Sequence, residues 1–281
     1  MGGGNRRVYR SRGSVKESRK SILVSPGGGR GNRLFTMFYA MRVATELGMQ
    51  WRPITAAPEE KWCYAPLRSS VSFPRIRRST TIQVAEIPRN FESALRYFDS
   101  FERGGQIRVC GPILGDFFFG ACQEDPKNYF PNVPDTNPRE RRLIAVHLRG
   151  TDFFNWNPDA VLPIDYYRTA IEVARQMVGS KAEVALVTDD LSMSSVVALE
   201  SDLELNKNQH RRGLEEDFSL LRGADVIVSS PSTFCIWAGI LGNAKVIHSL
   251  EWVRRRAELQ DGFWLDLFSG GNKYYHASAL V

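Results

Sequence analysis

The stretch Asp225-Val-Ile-Val-Ser-Ser-Pro-Ser-Thr-Phe-Cys-Ile-Trp-Ala-Gly-Ile-Leu241 decides the fold class. Asp225–Val228 reads as a short buried strand and Ser232–Leu241 as a helix, with a hydroxyl-rich turn between them. The same alternation recurs upstream. Leu143–Leu148 is apolar at nearly every position, as a parallel strand covered on both faces must be. A helix is expected near Ile164–Met177, a strand at Glu183–Val187, a helix at Leu191–Leu199 and a last strand at Lys245–His248. Strands that alternate with helices predict an open parallel sheet.

Toward the N-terminus, Pro131–Arg142 carries three prolines among charged residues and reads as an interdomain linker. Ahead of it, Ile22–Ser25 reads as a strand that runs through Pro26-Gly-Gly-Gly-Arg-Gly31 into a helix. Leu34, Phe38, Met41 and Thr45 set that helix's spacing, and Gly48 is placed to stop it. Residues 52–90 read as loops with short elements, followed by a helix at Phe91–Arg103 and a strand at Gln106–Cys110. The expected organisation is a basic tail at 1–20, an N-terminal domain at 21–135 and a C-terminal domain at 136–281. The 281 residues suffice for two modest cores.

The formal charge of +6 is confined to the tail, which holds seven bases and the single acid Glu17; beyond it 30 bases face 30 acids. A neutral body argues against nucleic-acid binding, and the tail suits at most a weak contact with an anionic membrane surface. No apolar run approaches the roughly 18 residues of a spanning helix, so a cytoplasmic or membrane-peripheral protein is expected. Cys63, Cys110, Cys122 and Cys235 show no zinc-ligand spacing and read as buried thiols.

In open α/β sheets ligands lie beyond the C-terminal strand ends. Here those ends are His147-Leu-Arg-Gly-Thr-Asp152, Thr188-Asp-Asp190 and Ser229-Ser-Pro-Ser-Thr-Phe234. The last, with Ser230, Ser232, Thr233 and Phe234, offers hydroxyls, backbone N–H groups and a helix dipole to a phosphate. Its structural alternative is a simple cap at Ser232 or Thr233. Arg149 could grip a diphosphate with two bonds or be a surface ion-pair partner. Asp189 and Asp190 could accept from a base or ribose, or cap a helix. His147 could be a core histidine.

The glycine turn ending in Gly29, Arg30 and Gly31 fails the dinucleotide spacing. Counting G-x-G-x-x-G from Gly27 puts Asn32 in the last place, and from Gly29 it puts Leu34 there, so a nicotinamide enzyme is disfavoured. The glycines suggest close backbone approach to a ligand or to the facing domain, or else a tight turn. No D-x-D triplet occurs, which suggests chemistry without a metal.

Four segments together resemble the α-1,2-fucosyltransferase family and its α-1,6- and protein O-fucosyltransferase relatives. Gly29-Arg-Gly-Asn-Arg-Leu-Phe35 resembles G-x-G-N-Q-hydrophobic-F, and His147-Leu-Arg149 with Asp152 resembles H-x-R-R-x-D. Leu186-Val-Thr-Asp-Asp190 is similar to F-S-D-D. Asp217–Trp237 resembles D-L-x-L-M-x-x-C-x-x-x-I-x-S-N-S-T-F-S-W-W, with Trp252 near a following Trp, and Gly115–Phe130 echoes G-Y-x-Q-x-x-x-Y-F. The segments run in the family's order from about residue 22 to 253.

The resemblance implies an α/β fold of GT-B type, with two Rossmann-like domains facing across a cleft and the C-terminal parallel sheet covered on both faces. It implies GDP-fucose as donor, a glycan hydroxyl as acceptor, inversion, and neither metal nor cofactor. Arg149 would bind the diphosphate, Ser232, Thr233 and Phe234 the nucleotide and phosphates, and Asp189 or Asp190 the guanosine. Asn32 would face the reacting sugar. Apart from the resemblance, an acceptor hydroxyl must lose a proton, and Asp152 and His147 are the nearby carboxylate and imidazole that could assist. Aromatics such as Trp62, Tyr64 and Phe117–Phe119 are candidates for the acceptor side, although such rings pack cores more often. The departures are Gly150 for the second Arg, Arg33 for Gln, Pro231 for Asn and Ile236 for Trp. They keep open another nucleotide sugar, or a non-catalytic nucleotide-sugar-binding protein of the same fold.

Overall fold

A computed structural model describes residues 20–25, 29–53, 79–83, 86–88, 90–101, 105–110, 130, 141–156, 158, 161–203, 212–242, 244–249 and 274–276. Residues 1–19 of the basic tail, the first turn glycines, Trp62, Cys63, Tyr64, Phe117–Phe119, Cys122, linker residues 131–140 and Trp252 lie outside these.

Two parallel sheets organise the described chain. The first comprises β1 (Ser21–Ser25), β2 (Gln50–Pro53), β3 (Ser79–Gln83) and β4 (Gln106–Cys110), in the order β2-β1-β4-β3. Its helices are α1 (Arg30–Glu46) and α2 (Phe91–Asp99). The second comprises β5 (Leu143–Leu148), β6 (Glu183–Thr188), β7 (Val226–Ser229), β8 (Lys245–His248) and β9 (Tyr274–His276), ordered β6-β5-β7-β8-β9. With it go α3 (Thr151–Trp156), α4 (Ile164–Val178), α5 (Ser194–Asp202), α6 (Leu214–Arg222) and α7 (Thr233–Leu241). The α/β, two-sheet fold expected from the sequence is the fold observed.

Every residue of β5 is buried, so both faces of the central strand are covered. The order of the second sheet reverses between β5 and β7, which makes their C-terminal ends the topological switch point where ligands collect in such sheets. α1 ends as its sequence requires: Gly48 takes φ +59, its N–H reaches Thr45 O at 3.3 Å, and Met49 N–H reaches Ala44 O at 2.8 Å. That is a Schellman closure, and glycine is the residue that enters the left-handed region without a Cβ penalty.

The sheets are joined through α1 and α7. Trp237, fully buried, makes edge-to-face contacts with Phe35, Phe130 and Phe38 at ring-centroid distances of 5.2 Å, 5.5 Å and 6.0 Å. On the opposite side Gly239 lies so close to Val246 that an added Cβ would stand 2.5 Å from Cγ2. The helix is therefore wedged between α1 and β8, and its apolar composition after Thr233 follows from the burial of all its later residues but the partly exposed Ile240.

Several expectations differ in detail. β9 extends the sheet beyond the strand expected to be last. β2 and β3 are regular elements, and α2 stops at Asp99 rather than Arg103. α5 starts at Ser194, three residues late, because Asp190 Oδ1 accepts from Ser192 N–H at 2.8 Å and holds that turn out of the helix. Among the described residues no helix is long and apolar enough to cross a membrane. Cys110 and Cys235 are free thiols, and burial pushes the Cys235 thiol up to about 12.

Candidate functional site

The Ser229–Phe234 turn is fixed from three sides. His147 on β5 pairs with Ser229 on β7; its carbonyl accepts Ser230 N–H at 3.0 Å, and its Nδ1 lies 2.6 Å from Ser230 Oγ. Tyr166 of α4 places its hydroxyl between the carbonyls of Ser229, at 3.0 Å, and Ile247, at 3.1 Å, tying the ends of β7 and β8 together. Ser232 caps α7, its Oγ accepting Phe234 N–H at 3.2 Å, so the capping role open for Ser232 in the sequence is one it fills. His147 is 6% exposed, and burial foremost, with the Arg149 charge second, holds its pKa down to about 4. The imidazole is therefore neutral at physiological pH.

The N-terminal half meets this turn directly. A Cβ on Gly31 would stand 2.6 Å from Phe234 N, with Thr233 backbone and hydroxyl atoms also in the way. Thr233 Oγ1 donates to Asn32 Oδ1 at 2.9 Å. Arg30 bonds Glu215 across the same junction, with its guanidinium 5.6 Å above the Phe218 ring. Of the readings open for the glycines, close approach between the two halves accounts for Gly31. Gly29 has nothing within 4 Å of where its Cβ would be. Since Gly31 is the second residue of α1 and Thr233 the first of α7, the N-terminal ends of two helices converge.

Arg149 follows β5 and is partly exposed. Its guanidinium lies 5.0 Å over the Phe153 ring, and Nε stands 3.8 Å from Asp189 Oδ2. Its charge also acts on His147 and on Cys235, in the first turn of α7, which puts it at the same end of the sheet as the serine turn. Asp189 Oδ1 accepts Gly150 N–H at 3.0 Å, and Oδ2 accepts the Thr151 hydroxyl at 2.8 Å. That carboxylate therefore closes the turn between β5 and α3. Asp190 takes both the hydroxyl and the N–H of Ser192, which together lower its pKa. Asp152 lies in the first turn of α3.

Gly150, where the resembled motif has a second Arg, is packed against Met193, whose Cε and Cγ would lie 3.0 Å from an added Cβ. Sequence reasoning did not single out Met193, Tyr166 or Glu215. Their partners lie 43, 63 and 185 residues away, and no local spacing marks them.

The site thus combines one partly exposed guanidinium, a serine turn held rigid from below, and two helix N-termini, each with roughly half a positive charge. Such an arrangement can hold a diphosphate and stabilise charge that grows on it.

No protein-family model matches the chain, and no curated protein does. Among solved structures, the chain is similar to POFUT1 in complex with GDP, at 12% identity and a TM-score of 0.53, over 82% of this chain and 97% of that one. It is also similar to fucosyltransferase NodZ from Bradyrhizobium, at 16% identity and a TM-score of 0.47, over 81% and 94%. A third is E. coli heptosyltransferase WaaC with ADP, at 12% and 0.46, over 92% and 97%. At these identities the likeness is one of fold.

Proposed function

We propose that this chain is a glycosyltransferase that moves fucose from GDP-fucose to a hydroxyl of a glycan acceptor, with inversion and without a metal. The observation that carries the reading is the convergence of Arg149, the Ser229–Phe234 turn and the first turn of α1 at the switch point. The order of the four fucosyltransferase-like motifs supports the choice of sugar.

In the proposed step the acceptor oxygen attacks the anomeric carbon from the face opposite GDP. The bond from that carbon to the β-phosphate oxygen breaks, and its electron pair leaves with GDP. Arg149 and the positive end of the α7 dipole stabilise the departing charge, and the Thr233 hydroxyl joins them once it exchanges its bond to Asn32. Asp189 orients Arg149 rather than touching guanosine, because both its oxygens are engaged locally. Asp190 uses one oxygen on Ser192, which leaves the other for the base or ribose. Asp152 takes the acceptor proton. His147 is neutral and engaged with Ser230, so it serves the serine turn and not the proton transfer. Asn32 reaches the sugar by exchanging its Thr233 bond.

The test is release of GDP from GDP-fucose in EDTA, with and without a glycan acceptor library, followed by assignment of the product anomer. Turnover giving the inverted linkage supports the proposal. Turnover of another sugar nucleotide keeps the chemistry and discards fucose. The packing of Gly150 on Met193 favours a second reading, a nucleotide-sugar binder without turnover; GDP binding with no donor consumed would establish that reading instead.

A further inference from the structure

At the opposite end of the second sheet, where β5, β6, β7 and β8 begin, two open cavities of about 480 Å3 each adjoin, with Arg142 and Val178 in the walls of both. The volume is that of a small-molecule pocket. Around the first stand Arg141, Arg142 and Lys181 over a floor of Val178, Gly179 and Ala182, and no acid is among the described residues of its wall. The second adds Lys245 and Arg222 across from Asp225.

Arg142 is pre-oriented. Its Nη1 donates to Asp225 Oδ1 at 2.5 Å, and the other Asp225 oxygen takes Leu143 N–H at 2.9 Å, so both carboxylate oxygens are engaged. One of five guanidinium N–H groups is thereby used, and the side chain remains 69% exposed. Among the described residues neither Arg141 nor Lys181 has an ion-pair partner. The turn that carries Lys181 is fixed by Gly179, at φ +106, whose N–H reaches Arg175 O at 2.8 Å and whose carbonyl accepts Ala182 N–H at 3.1 Å. Complementing the end of α4 does not account for this charge: a helix C-terminus carries roughly half a negative charge, against the two cations Arg141 and Lys181 that have no ion-pair partner among the described residues. A concave wall focuses the excess.

We propose that this cavity binds a small anion bearing phosphate or sulfate groups, gripped by the free edge of Arg142 with Lys181 and Arg141 as flanking charges. The site is separate from the glycosyltransferase reading and stands or falls without it. The probe is inorganic pyrophosphate, titrated calorimetrically at about 0.15 M salt into the full chain carrying Arg149→Ala, which removes the cation at the other end of the sheet. The same titration on the unsubstituted chain covers the case in which Arg149→Ala fails to fold. Arg141→Glu with Lys181→Glu, both at exposed positions, is expected to weaken binding at least about tenfold with unchanged circular dichroism. Arg141→Lys with Lys181→Arg is expected to retain it. Phosphatidylcholine vesicles with and without phosphatidic acid distinguish the source. Vesicle binding that pyrophosphate displaces assigns the anion to a lipid headgroup, and pyrophosphate binding alone assigns it to a free ligand. Absence of binding by either probe, or an affinity indifferent to the charge reversals, overturns the proposal.

Discussion

Replacing Gly31 with alanine tests the junction on which the candidate site is built. A Cβ there would stand 2.6 Å from Phe234 N, whereas ordinary contact begins at 3.4 Å. The first turns of α1 and α7 must then part by at least roughly 0.8 Å, since the Thr233 carbonyl carbon and hydroxyl stand nearer still. They cannot part locally, since Phe35 and Phe38 hold Trp237 within the next two turns, and the obstructing atoms include Thr233 and Phe234 backbone rather than a flexible side-chain tip. Overpacking of this kind costs about 1–3 kcal/mol. At roughly 2–4 °C per kcal/mol for a chain of this size, the Tm falls by about 2–12 °C. The first turn of α7 is displaced relative to Arg149 in the same movement, so GDP affinity is expected to fall as well. Gly29→Ala is the control two residues away: its φ of −67 and ψ of 171 suit any residue, and nothing lies within 4 Å. Thermal unfolding and GDP calorimetry on both variants decide the matter. A wild-type Tm for Gly31→Ala, or equal damage from Gly29→Ala, would refute the reasoning.

Arg149→Ala is expected to lower turnover at saturating donor by about 10²–10³-fold, the usual effect of removing one group that stabilises a departing anion; intact turnover by steady-state kinetics would remove Arg149 from that role. Gly48→Ala is expected to cost about 1–2 kcal/mol by denaturant unfolding, with helix content unchanged, since φ +59 puts a side chain into the left-handed region. His147 has a folded pKa of about 4 against 6.5 ordinarily, so between those values only the unfolded chain takes up the proton. Its contribution to stability is therefore complete above about pH 6.5 and is lost as pH falls toward 4, by up to about 3 kcal/mol. Unfolding curves across that window should flatten in His147→Asn relative to the unsubstituted chain.

The parts of the fold legible in the sequence were those that local chemistry decides. β5 announced itself because a strand covered on both faces is apolar at nearly every position, His147 being its one exception, and α7 because Ser232 is a good cap ahead of an apolar run. Gly48 marked the end of α1 through its freedom at positive φ. β2, with Arg52 and Pro53, and the polar β3 carry too little apolar pattern to stand out, and the three-residue β9 is too short to show a period. At the site, the residue types at the strand ends were readable, but their partners were not. Asp189 read either as an acceptor for a ligand or as a helix cap, and nothing local reveals that Gly150 and Thr151, 39 and 38 residues away, engage both its oxygens. Gly31 read as close approach to a ligand or to the facing domain, or as a tight turn, and the choice among these depends on Thr233, some 200 residues along the chain.

The most direct test of the central claim is thermal unfolding of the purified chain with GDP, UDP, ADP or NADH, each with and without EDTA. A ligand that binds only the native state raises its stability by mass action, by about 2.7 kcal/mol at a hundredfold excess over Kd. The expected result is a Tm rise with GDP that EDTA leaves unchanged and that Arg149→Ala abolishes. A GDP response lost in EDTA would contradict the metal-independent site, and no response to any of the nucleotides would contradict the nucleotide-sugar reading itself.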